Sequence, residues 1–388
     1  MAGMIPAMAQ EKLQELMAQA KAHSPFWQDR LGEKQFRDIP VLYKTDLPAI
    51  QRNNPPFGGL LTIPASNVAR IFMSPGPIYD PQVHERDFWR FAEALAAAGF
   101  QAGDIVQNTF SYHLSPAGLM FDSALREIGA TIIPAGVGNT DLQVQVLKDC
   151  HVTGYVGTPS YLAALLARAA EMGFVLGHEL NLTKAFFTAE KVAPSLKAEW
   201  LGQGLAVFEG YGTADAGCIA FEDSSRRGLK IASTCFVELC IPGTGDPVAE
   251  GEVGEVVVTP FVPSYPLIRF GTGDLSAWVP GQTGNYLQGV LGRVGDGVKV
   301  KGMFVHLRQF APLLESDPAI HYFQAIVDRY NHQDRLTILI EGDPEQIELD
   351  HLNQKLKEII RVNPELIMCS ANSLPRDQAQ LVDKRIWE

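Results

Sequence analysis

The spacing of hydrophobic residues predicts helices near the N-terminus and alternating strands and helices in the middle of the chain. Residues 8–23 and 85–99 place apolar residues at the three- and four-residue spacing of an amphipathic helix. Further along, the short apolar runs DIVQNTF, ATIIPAG and TGYVGTP are separated by segments with helical spacing. Strands that alternate with helices in this way indicate parallel βαβ units.

The pattern becomes rich in short strands after about residue 228. The runs KIASTCFVELCI, GEVGEVVVTPF and LSAWVP are punctuated by Gly and Pro, which favours a small antiparallel barrel or sheet. We therefore predict an α/β protein with a large N-terminal domain at residues 1–291, whose β-rich, barrel-like part covers about 228–291. A small α+β domain is expected at residues 292–388, and it is expected to be mobile because the Gly-rich turn at residues 292–297 can absorb large dihedral changes.

Composition narrows the class of protein. The chain has 388 residues and a formal net charge of -12, which argues against a nucleic-acid-binding protein, since such proteins present a basic face. No apolar run reaches the length of a membrane span and the N-terminus does not resemble a secretory signal, so we expect a cytoplasmic protein without a membrane partner. Five cysteines without a CxxC pair predict neither a disulfide framework nor a zinc ribbon. Cys235 and Cys240 are candidate metal ligands, with buried small hydrophobic side chains as the favoured interpretation.

Two loop segments place hydroxyl and carboxylate groups after predicted strands. In FEGYGTADAG, a strand runs into Thr213 and Asp215, which suits a phosphate and its Mg²⁺. The neighbouring glycines let the backbone approach a ligand closely. In RFGTGDLSAW, Asp274 follows a Gly-Thr-Gly turn and can accept hydrogen bonds from both hydroxyls of a ribose. Taken singly, each segment is more simply interpreted as an ordinary turn.

Two further segments contain turns rich in glycine or proline. GRVGDGVKVKG carries Arg293, whose guanidinium can donate to hydroxyl or phosphate oxygens; a basic hairpin edge is the alternative. FMSPGPIYDP precedes a predicted helix, as phosphate-binding loops do, but it contains no lysine. Neither segment indicates a function by itself.

The order and spacing of these segments resemble the core motifs of the adenylate-forming superfamily. YGTAD is followed by FGTGDL and then by GRVGDGVKVKG, and the phenylacetate–CoA ligase branch fits best. Further matching segments are HSPFW, IPVLYKTDL, IGATIIPAG, TPSYL, FFTAEK and LPR, so the resemblance spans nearly the whole chain. It implies the adenylate-forming ligase fold, in which a small C-terminal domain rotates against the large N-terminal region.

The resemblance also implies a two-step ligase reaction. A carboxylic acid would attack the α-phosphate of ATP to give acyl-AMP and pyrophosphate, and coenzyme A would then capture the acyl group as a thioester. ATP, Mg²⁺ and coenzyme A are the implied cofactors, and a small carboxylic acid is the implied substrate, with an aryl acid expected from the family. A homodimer is expected from the resemblance alone.

Particular residues acquire roles from the resemblance. The nucleotide would be bound by Ser74, Gly76, Ala189, Glu190, Tyr211, Gly212, Thr213, Asp274 and Arg293. The acyl pocket would be lined by Tyr112, His113 and Gly136, although a satisfied core histidine is an equal interpretation of His113. Mg²⁺ would be coordinated by Asp215, and catalysis would rest on Thr213, Asp215 and Lys384.

The sequence departs from the family pattern at three places. The family's phosphate loop, Ser-Ser-Gly-Thr-Thr-Gly-Lys-Pro, matches residues 74–81, where both threonines are missing and Asp80 stands in place of the lysine. At the hinge Gly295 replaces the first aspartate, and at the C-terminus Gln380 aligns with a lysine, with Lys384 four residues on as a substitute. A catalytically weak or non-catalytic relative that binds nucleotide, acyl-adenylate or a partner protein is therefore the alternative hypothesis.

Overall fold

The chain forms two compact units. The computed structural model describes residues 5–74, 77–294, 297–300, 303–330, 333–360, 362–376 and 378–385. The first unit comprises Met1–Thr272 and Ala277–Gly289, and the second comprises Gly273–Ser276 and Val290–Glu388. The domain boundary inferred from the sequence, between residues 291 and 292, and the mobility of the second domain stay predictions.

The N-terminal part is mostly short helices and one hairpin. Its elements are α1 (Ala7–His23), α2 (Pro25–Leu31), β1 (Leu42–Tyr43), α3 (Leu47–Asn53), β2 (Val68–Ser74), β3 (Ile78–Val83) and α4 (Ala92–Ala97). Short 3-10 turns lie at Phe36–Asp38, Lys44–Asp46 and Ala65–Asn67. The helix predicted at residues 8–23 is confirmed as α1.

The helix predicted at residues 85–99 is wrong for its first half. Asp87 and Arg90 adopt left-handed backbone conformations, with φ of 43° and 62°, which a continuous helix does not allow. The Asp87 carboxylate also accepts hydrogen bonds from the backbone N–H groups of Phe91, at 3.1 Å, and Ala92, at 2.8 Å. These contacts satisfy N–H groups at the start of α4, so the helix begins later than apolar spacing suggests.

The middle of the chain is the predicted βαβ region. Its elements are β4 (Ile105–Asn108), α5 (Ala117–Glu127), β5 (Thr131–Pro134), α6 (Thr140–Asp149), β6 (Gly154–Gly157), α7 (Pro159–Glu171), β7 (Lys184–Phe187), α8 (Pro194–Gly202) and β8 (Ala206–Thr213). Strands β5, β4, β6, β7 and β8 are neighbours in this order and all pair in parallel. The prediction of parallel βαβ units is confirmed.

The strand order reverses between β4 and β6. The chain passes from β4 to its neighbour β5 and then crosses back to β6 on the other side of β4. Ligands of open α/β sheets bind at such a reversal, in the crevice outside the carboxyl ends of the strands. A ligand-binding site is therefore expected at the loops after β4 and β6.

The strands from β9 to β14 complete two sheets. They are β9 (Gly217–Glu222), β10 (Leu229–Ile231), β11 (Cys235–Cys240), β12 (Gly254–Pro260), β13 (Phe270–Ser276) and β14 (Tyr286–Leu287). Strands β9, β10 and β14 extend the parallel sheet beyond β8 with antiparallel pairs. The second sheet has the order β1-β13-β12-β11, and β15 (Gly292–Arg293) pairs with β13. In the part of the chain that the structure describes, this β-rich region is an open sheet.

Arg269 ties the N-terminal segment to this second sheet. Its side chain is buried and donates hydrogen bonds to the carbonyls of Arg37, Ile39 and Gly245 at 2.7–2.8 Å. It also donates to a carboxylate oxygen of Glu238 at 3.0 Å. These contacts fix the chain just before β1 and so place the segment that follows it.

The second unit is an α+β layer structure. After β15 its elements are β16 (Gly297–Val300), β17 (Met303–His306), α9 (Leu307–Glu315), β18 (Ile320–Tyr330), β19 (Gln333–Gly342), α10 (Leu349–Ile360), β20 (Glu365–Cys369) and β21 (Leu381–Asp383). Its sheet has the order β20-β19-β18-β21, and α9 and α10 supply apolar residues to its core. The α+β character predicted for this region is confirmed.

Candidate functional site

Most predicted site residues of the first unit follow the carboxyl ends of its parallel strands. Tyr112 and His113 follow β4, Gly136 follows β5, Ala189 and Glu190 follow β7, and Tyr211, Gly212 and Thr213 end β8. Because these strands are parallel neighbours, their carboxyl ends meet along one edge of the sheet. The fold thus collects segments that are far apart in the sequence at one edge.

Tyr112 is held in place by the end of β4. The side-chain amide of Asn108 donates to the Tyr112 hydroxyl at 2.9 Å and to the Gly118 carbonyl at 2.8 Å. A Cβ on Gly118 would meet the ring of Tyr112, so glycine is required for α5 to pack this closely. Burial, and after it the charge of Asp122, raise the pKa of Tyr112, so its hydroxyl stays neutral and available for hydrogen bonding.

His113 lies in the same loop and is exposed. A core histidine would be buried, so that interpretation of His113 is wrong. Its backbone N–H donates to the Ser111 hydroxyl at 3.2 Å, which shapes the loop. The imidazole is therefore accessible at the strand-order reversal.

Gly136 is fixed by a glutamine. Its backbone has a φ of 66°, and its N–H donates to the Asn108 carbonyl at 3.1 Å. The Gln143 amide donates to the carbonyls of Gly136, at 3.0 Å, and Gly138, at 2.8 Å. Gln143 in turn accepts from the Gln107 amide at 2.9 Å, so a buried pair of glutamines joins this loop to β4.

The loop after β7 presents exposed residues. Ala189 has a φ of 71°, and both Ala189 and Glu190 are exposed. The Glu190 carboxylate accepts from the backbone N–H of Ser160 at 3.3 Å, close to the start of α7. These two residues remain candidates for the adenine pocket.

The glycines around Tyr211 serve packing. A Cβ on Gly210 would overlap the Phe186 ring, and a Cβ on Gly212 would meet the carbonyl of Gly217. Tyr211 is buried, and its hydroxyl donates to the Thr272 hydroxyl at 3.2 Å. From the sequence, we expect these glycines to allow a ligand to approach the backbone closely. The structure shows instead that Phe186 and Gly217 approach the backbone at these positions.

The turn after β8 is held by hydrogen bonds from the side chains of Trp89 and Arg90. The Thr213 hydroxyl accepts from the Ala216 N–H at 3.0 Å within the turn. The Trp89 indole donates to the Ala214 carbonyl at 3.2 Å, and the Arg90 guanidinium donates to the Ala216 carbonyl. Sequence reasoning missed both clamping residues, because it assigned them to a regular helix.

Asp215 forms a buried ion pair with Lys44. The Lys44 ammonium lies 2.6 Å from Oδ2 of Asp215, whose side chain is fully buried. Oδ1 of Asp215 has no hydrogen-bond partner among the described residues. Lys44 was also missed, although it lies in IPVLYKTDL, one of the segments that carried the resemblance.

Asp80 is a second buried carboxylate in this region. It lies on the inward face of the β2–β3 hairpin with Phe72, Ser74 and Ile78, and it is 1% exposed. Burial, and after it the charge of Asp215, raise the pKa of Asp80 to about 8. Ser74 is close enough to Asp80 to oppose this shift, but the contact lacks hydrogen-bond geometry. Both Asp80 oxygens and the Ser74 hydroxyl have no partner among the residues described.

The hairpin and the Lys44 segment are locked together. The Gln51 side chain, on α3 just after Lys44, donates to the Tyr79 carbonyl and accepts from the Tyr79 N–H, both at 2.8 Å. Since Tyr79 precedes Asp80, this pair of hydrogen bonds fixes the strand that carries the carboxylate.

In the second unit, Asp274 and Arg293 face each other across β13 and β15. They are partners in the strand register, and the Arg293 Nε lies 3.2 Å from Oδ1 of Asp274. Asp274 is buried, whereas the Arg293 side chain is 73% exposed. The predicted roles of Gly76, Gly295 and Asp296 concern positions outside the described residues.

Gln380 and Lys384 flank β21. The Gln380 carbonyl accepts from the Ala325 N–H at 2.7 Å, and the Lys384 N–H donates to the Val327 carbonyl at 2.8 Å. The backbone at both positions is therefore fixed on β18. The Lys384 side chain is exposed and Gln380 is half-buried.

The described residues contain no group of three or more His, Cys, Asp or Glu side chains arranged to hold a metal ion. Cys235 and Cys240 are buried, and burial is the main cause that raises the pKa of each thiol to about 12. Neutral buried thiols are poor metal ligands, which supports their interpretation as small hydrophobic side chains.

No described helix has both the length and the apolar character needed to cross a membrane.

The chain is similar over nearly its whole length to phenylacetate-coenzyme A ligases. It is 29% identical to the protein of Thermus thermophilus over 428 residues, which cover 96% of this chain and 94% of that relative. The Escherichia coli protein is 27% identical over 372 residues, 89% of this chain and 83% of the relative. No family model matches the chain.

Solved structures of CoA ligases have the same fold. An open conformation of 2-hydroxyisobutyryl-CoA ligase, in complex with 2-HIB-AMP and CoA, superposes with a TM-score of 0.86 at 21% identity, covering 97% of this chain and 92% of that chain. An anthranilate CoA ligase in complex with anthranoyl-AMP gives a TM-score of 0.52 at 17% identity, covering 88% and 76%. The chain is thus a homologue of the phenylacetate-CoA ligases and has the adenylate-forming ligase fold predicted from its sequence.

Proposed function

We propose that this chain is an ATP-dependent acid–CoA ligase that activates a small carboxylic acid as acyl-AMP and transfers the acyl group to coenzyme A. The observation that carries the proposal is the similarity to phenylacetate-coenzyme A ligases over 96% of the chain. An aryl acid as substrate, a homodimer and a cytoplasmic location belong to the same proposal.

In the first step, a carboxylate oxygen attacks the α-phosphorus of ATP and the bond to pyrophosphate breaks. Tyr211, Ala189 and Glu190 are assigned to the adenine, and Thr213 to the α-phosphate. Because Tyr211 is buried and bonded to Thr272, its ring is held rigidly before the nucleotide arrives. A preorganised pocket of this kind reduces the cost of ordering the site on binding.

In the second step, the thiol of coenzyme A attacks the acyl carbonyl and AMP leaves. Tyr112, His113 and Gly136 are assigned to the acyl group, since they follow β4 and its neighbour β5 at the strand-order reversal. Asp274 and Arg293 are assigned to the ribose and its neighbouring oxygens, and Lys384 to the charge that develops on the phosphates.

Mg²⁺ is implied by the fold family, and the donor atoms near Asp215 fit it. Oδ1 of Asp215 and both oxygens of Asp80 are buried and have no partner among the described residues. Magnesium prefers oxygen ligands and is usually held by one or two carboxylates together with substrate phosphates. When bound, the ion would neutralise charge on the phosphates during their transfer.

Isotope exchange between pyrophosphate and ATP tests the proposal. The protein should catalyse the exchange with at least one acid from a panel of aryl and short-chain carboxylic acids, and it should form the CoA thioester of that acid. Binding of ATP without exchange for any acid would favour the alternative, a non-catalytic relative, for which Asp80 in place of the loop lysine is the specific argument. Absence of adenine-nucleotide binding would overturn both.

A further inference from the structure

We infer that Asp80 and Asp215 together form a two-carboxylate site for a divalent cation, in which Asp80 holds the ion where the family pattern places a lysine. The inference rests on the proposed function, because the cation would act on the phosphates of the nucleotide. It gives a role to Asp80, which the comparison with the family pattern describes only as the loss of a lysine.

The first argument is the uncompensated charge of the cluster. Asp80 and Asp215 are both buried, and Lys44 is the cation paired with Asp215. If both carboxylates were ionised beside one ammonium, this buried site would carry a net negative charge. Ionising both is costly without a further cation, so a bound cation would stabilise the ionised pair.

The second argument is the supply of free oxygen atoms. Lys44 occupies Oδ2 of Asp215, whereas Oδ1 of Asp215 and both oxygens of Asp80 have no partner among the described residues. The hydroxyls of Ser74, 4% exposed, and Tyr265, 2% exposed, likewise lack a partner there. Burial, and after it the charges of Asp80 and Asp215, raise the pKa of Tyr265, so its hydroxyl lies within electrostatic range of both carboxylates. Buried oxygens are normally hydrogen-bonded, and this many in one place indicates a missing ligand.

The third argument is the kind of ligand. The free donors are carboxylate and hydroxyl oxygens, which suit a hard divalent cation such as Mg²⁺ or Mn²⁺. Two carboxylates are too few for a cage made of protein alone, so nucleotide phosphates and water would complete the coordination. The negative Asp80 with its cation would then supply the positive charge that a lysine supplies in the family pattern.

The test is Mn²⁺ binding, followed by electron paramagnetic resonance of the free ion in the presence of a non-hydrolysable ATP analogue. Wild type is compared with Asp80→Asn, Asp215→Asn and the control Asp104→Asn. Asp104 is also buried, but it is fully engaged by Lys184, Thr153 and the Gln101 N–H, and it lies at the start of β4, at the opposite edge of the sheet. AMP binding in EDTA, measured by calorimetry, establishes that each variant is folded and keeps its nucleotide pocket.

We expect Asp80→Asn and Asp215→Asn each to weaken Mn²⁺ binding by about 10–100-fold or more, since even the neighbours of metal ligands change affinity by that factor. Asp104→Asn should leave Mn²⁺ binding unchanged. If Asp80→Asn does not fold, Asp80→Ser serves as the second variant, because it also removes the charge.

Wild-type Mn²⁺ affinity in a folded Asp80→Asn or Asp80→Ser protein, together with its loss in Asp215→Asn, would overturn the inference and leave the proposed function intact. Failure of wild type to bind AMP in EDTA, or the ATP analogue with Mn²⁺, would instead overturn the proposed function.

Discussion

Replacing Lys44 with methionine should destabilise the first unit strongly, because it leaves the buried Asp215 carboxylate without its cation. Removing one partner of a buried ion pair costs about 3–5 kcal/mol. The Lys44 side chain is 29% exposed, so part of its charge is screened by solvent. We therefore expect a loss of about 2–4 kcal/mol.

The assay is urea unfolding, followed by a signal from the first unit, of wild type, Lys44→Met, Asp215→Asn and the double variant. Removing both charges should restore part of the stability lost in Lys44→Met, since no unpaired charge then remains at this pair. The coupling energy from this cycle should exceed about 1 kcal/mol, the usual upper limit for exposed pairs. Lys34→Met is the matched control, because Lys34 is exposed and, among the described residues, its ammonium donates only to the Arg30 carbonyl, at 3.1 Å.

The reasoning would be refuted by a Lys44→Met protein no less stable than Lys34→Met. A coupling energy near zero would likewise show that the 2.6 Å contact is worth no more than a surface ion pair. Either result would also weaken the case for strong electrostatic interactions in the buried cluster around Asp80 and Asp215.

Three further predictions concern other residues. Asp274→Ala should weaken ATP binding by about 1–3 kcal/mol, the cost of leaving ribose hydroxyls unpaired, and unchanged affinity in calorimetry would exclude the ribose role. Gln380→Lys should speed acyl-AMP formation by about 10²–10³-fold in single-turnover experiments, while thioester formation from supplied acyl-AMP changes little. If acyl-AMP formation is already fast and neither Gln380→Lys nor Lys384→Ala changes its rate, the charge on the phosphates is balanced by other groups. Asp104 should stabilise the fold above about pH 4. Burial alone would raise its pKa, but hydrogen bonds led by that from Lys184 outweigh burial and lower it. This contribution is lost as the pH falls through the lowered pKa, so the stability gap between wild type and Asp104→Asn should narrow in urea titrations below pH 4. A constant gap would contradict the assignment.

The sequence determined the elements whose pattern is local. The alternation of apolar runs with helical segments was enough to predict the parallel βαβ region, because each strand and helix there shows its own periodicity. The resemblance of YGTAD, FGTGDL and GRVGDGVKVKG, in this order, to the motifs of the adenylate-forming superfamily predicted the ligase fold. The same local pattern failed at residues 85–99, because the left-handed backbone at Asp87 and Arg90 is set by capping and packing rather than by apolar spacing.

Only the tertiary structure decided which charges meet. Lys44 and Asp215 are 171 residues apart, and nothing in either segment indicates the other. The same holds for Asp80. A carboxylate in a hairpin has no special role in the sequence, and only folding buries it in the region of Asp215. The glycines of the Tyr211 segment are required by Phe186 and Gly217, which the chain brings against them from other elements. The physical reason is common to all three: periodicity reports how a residue relates to its sequence neighbours, whereas burial and pairing depend on segments brought together by the sheet order.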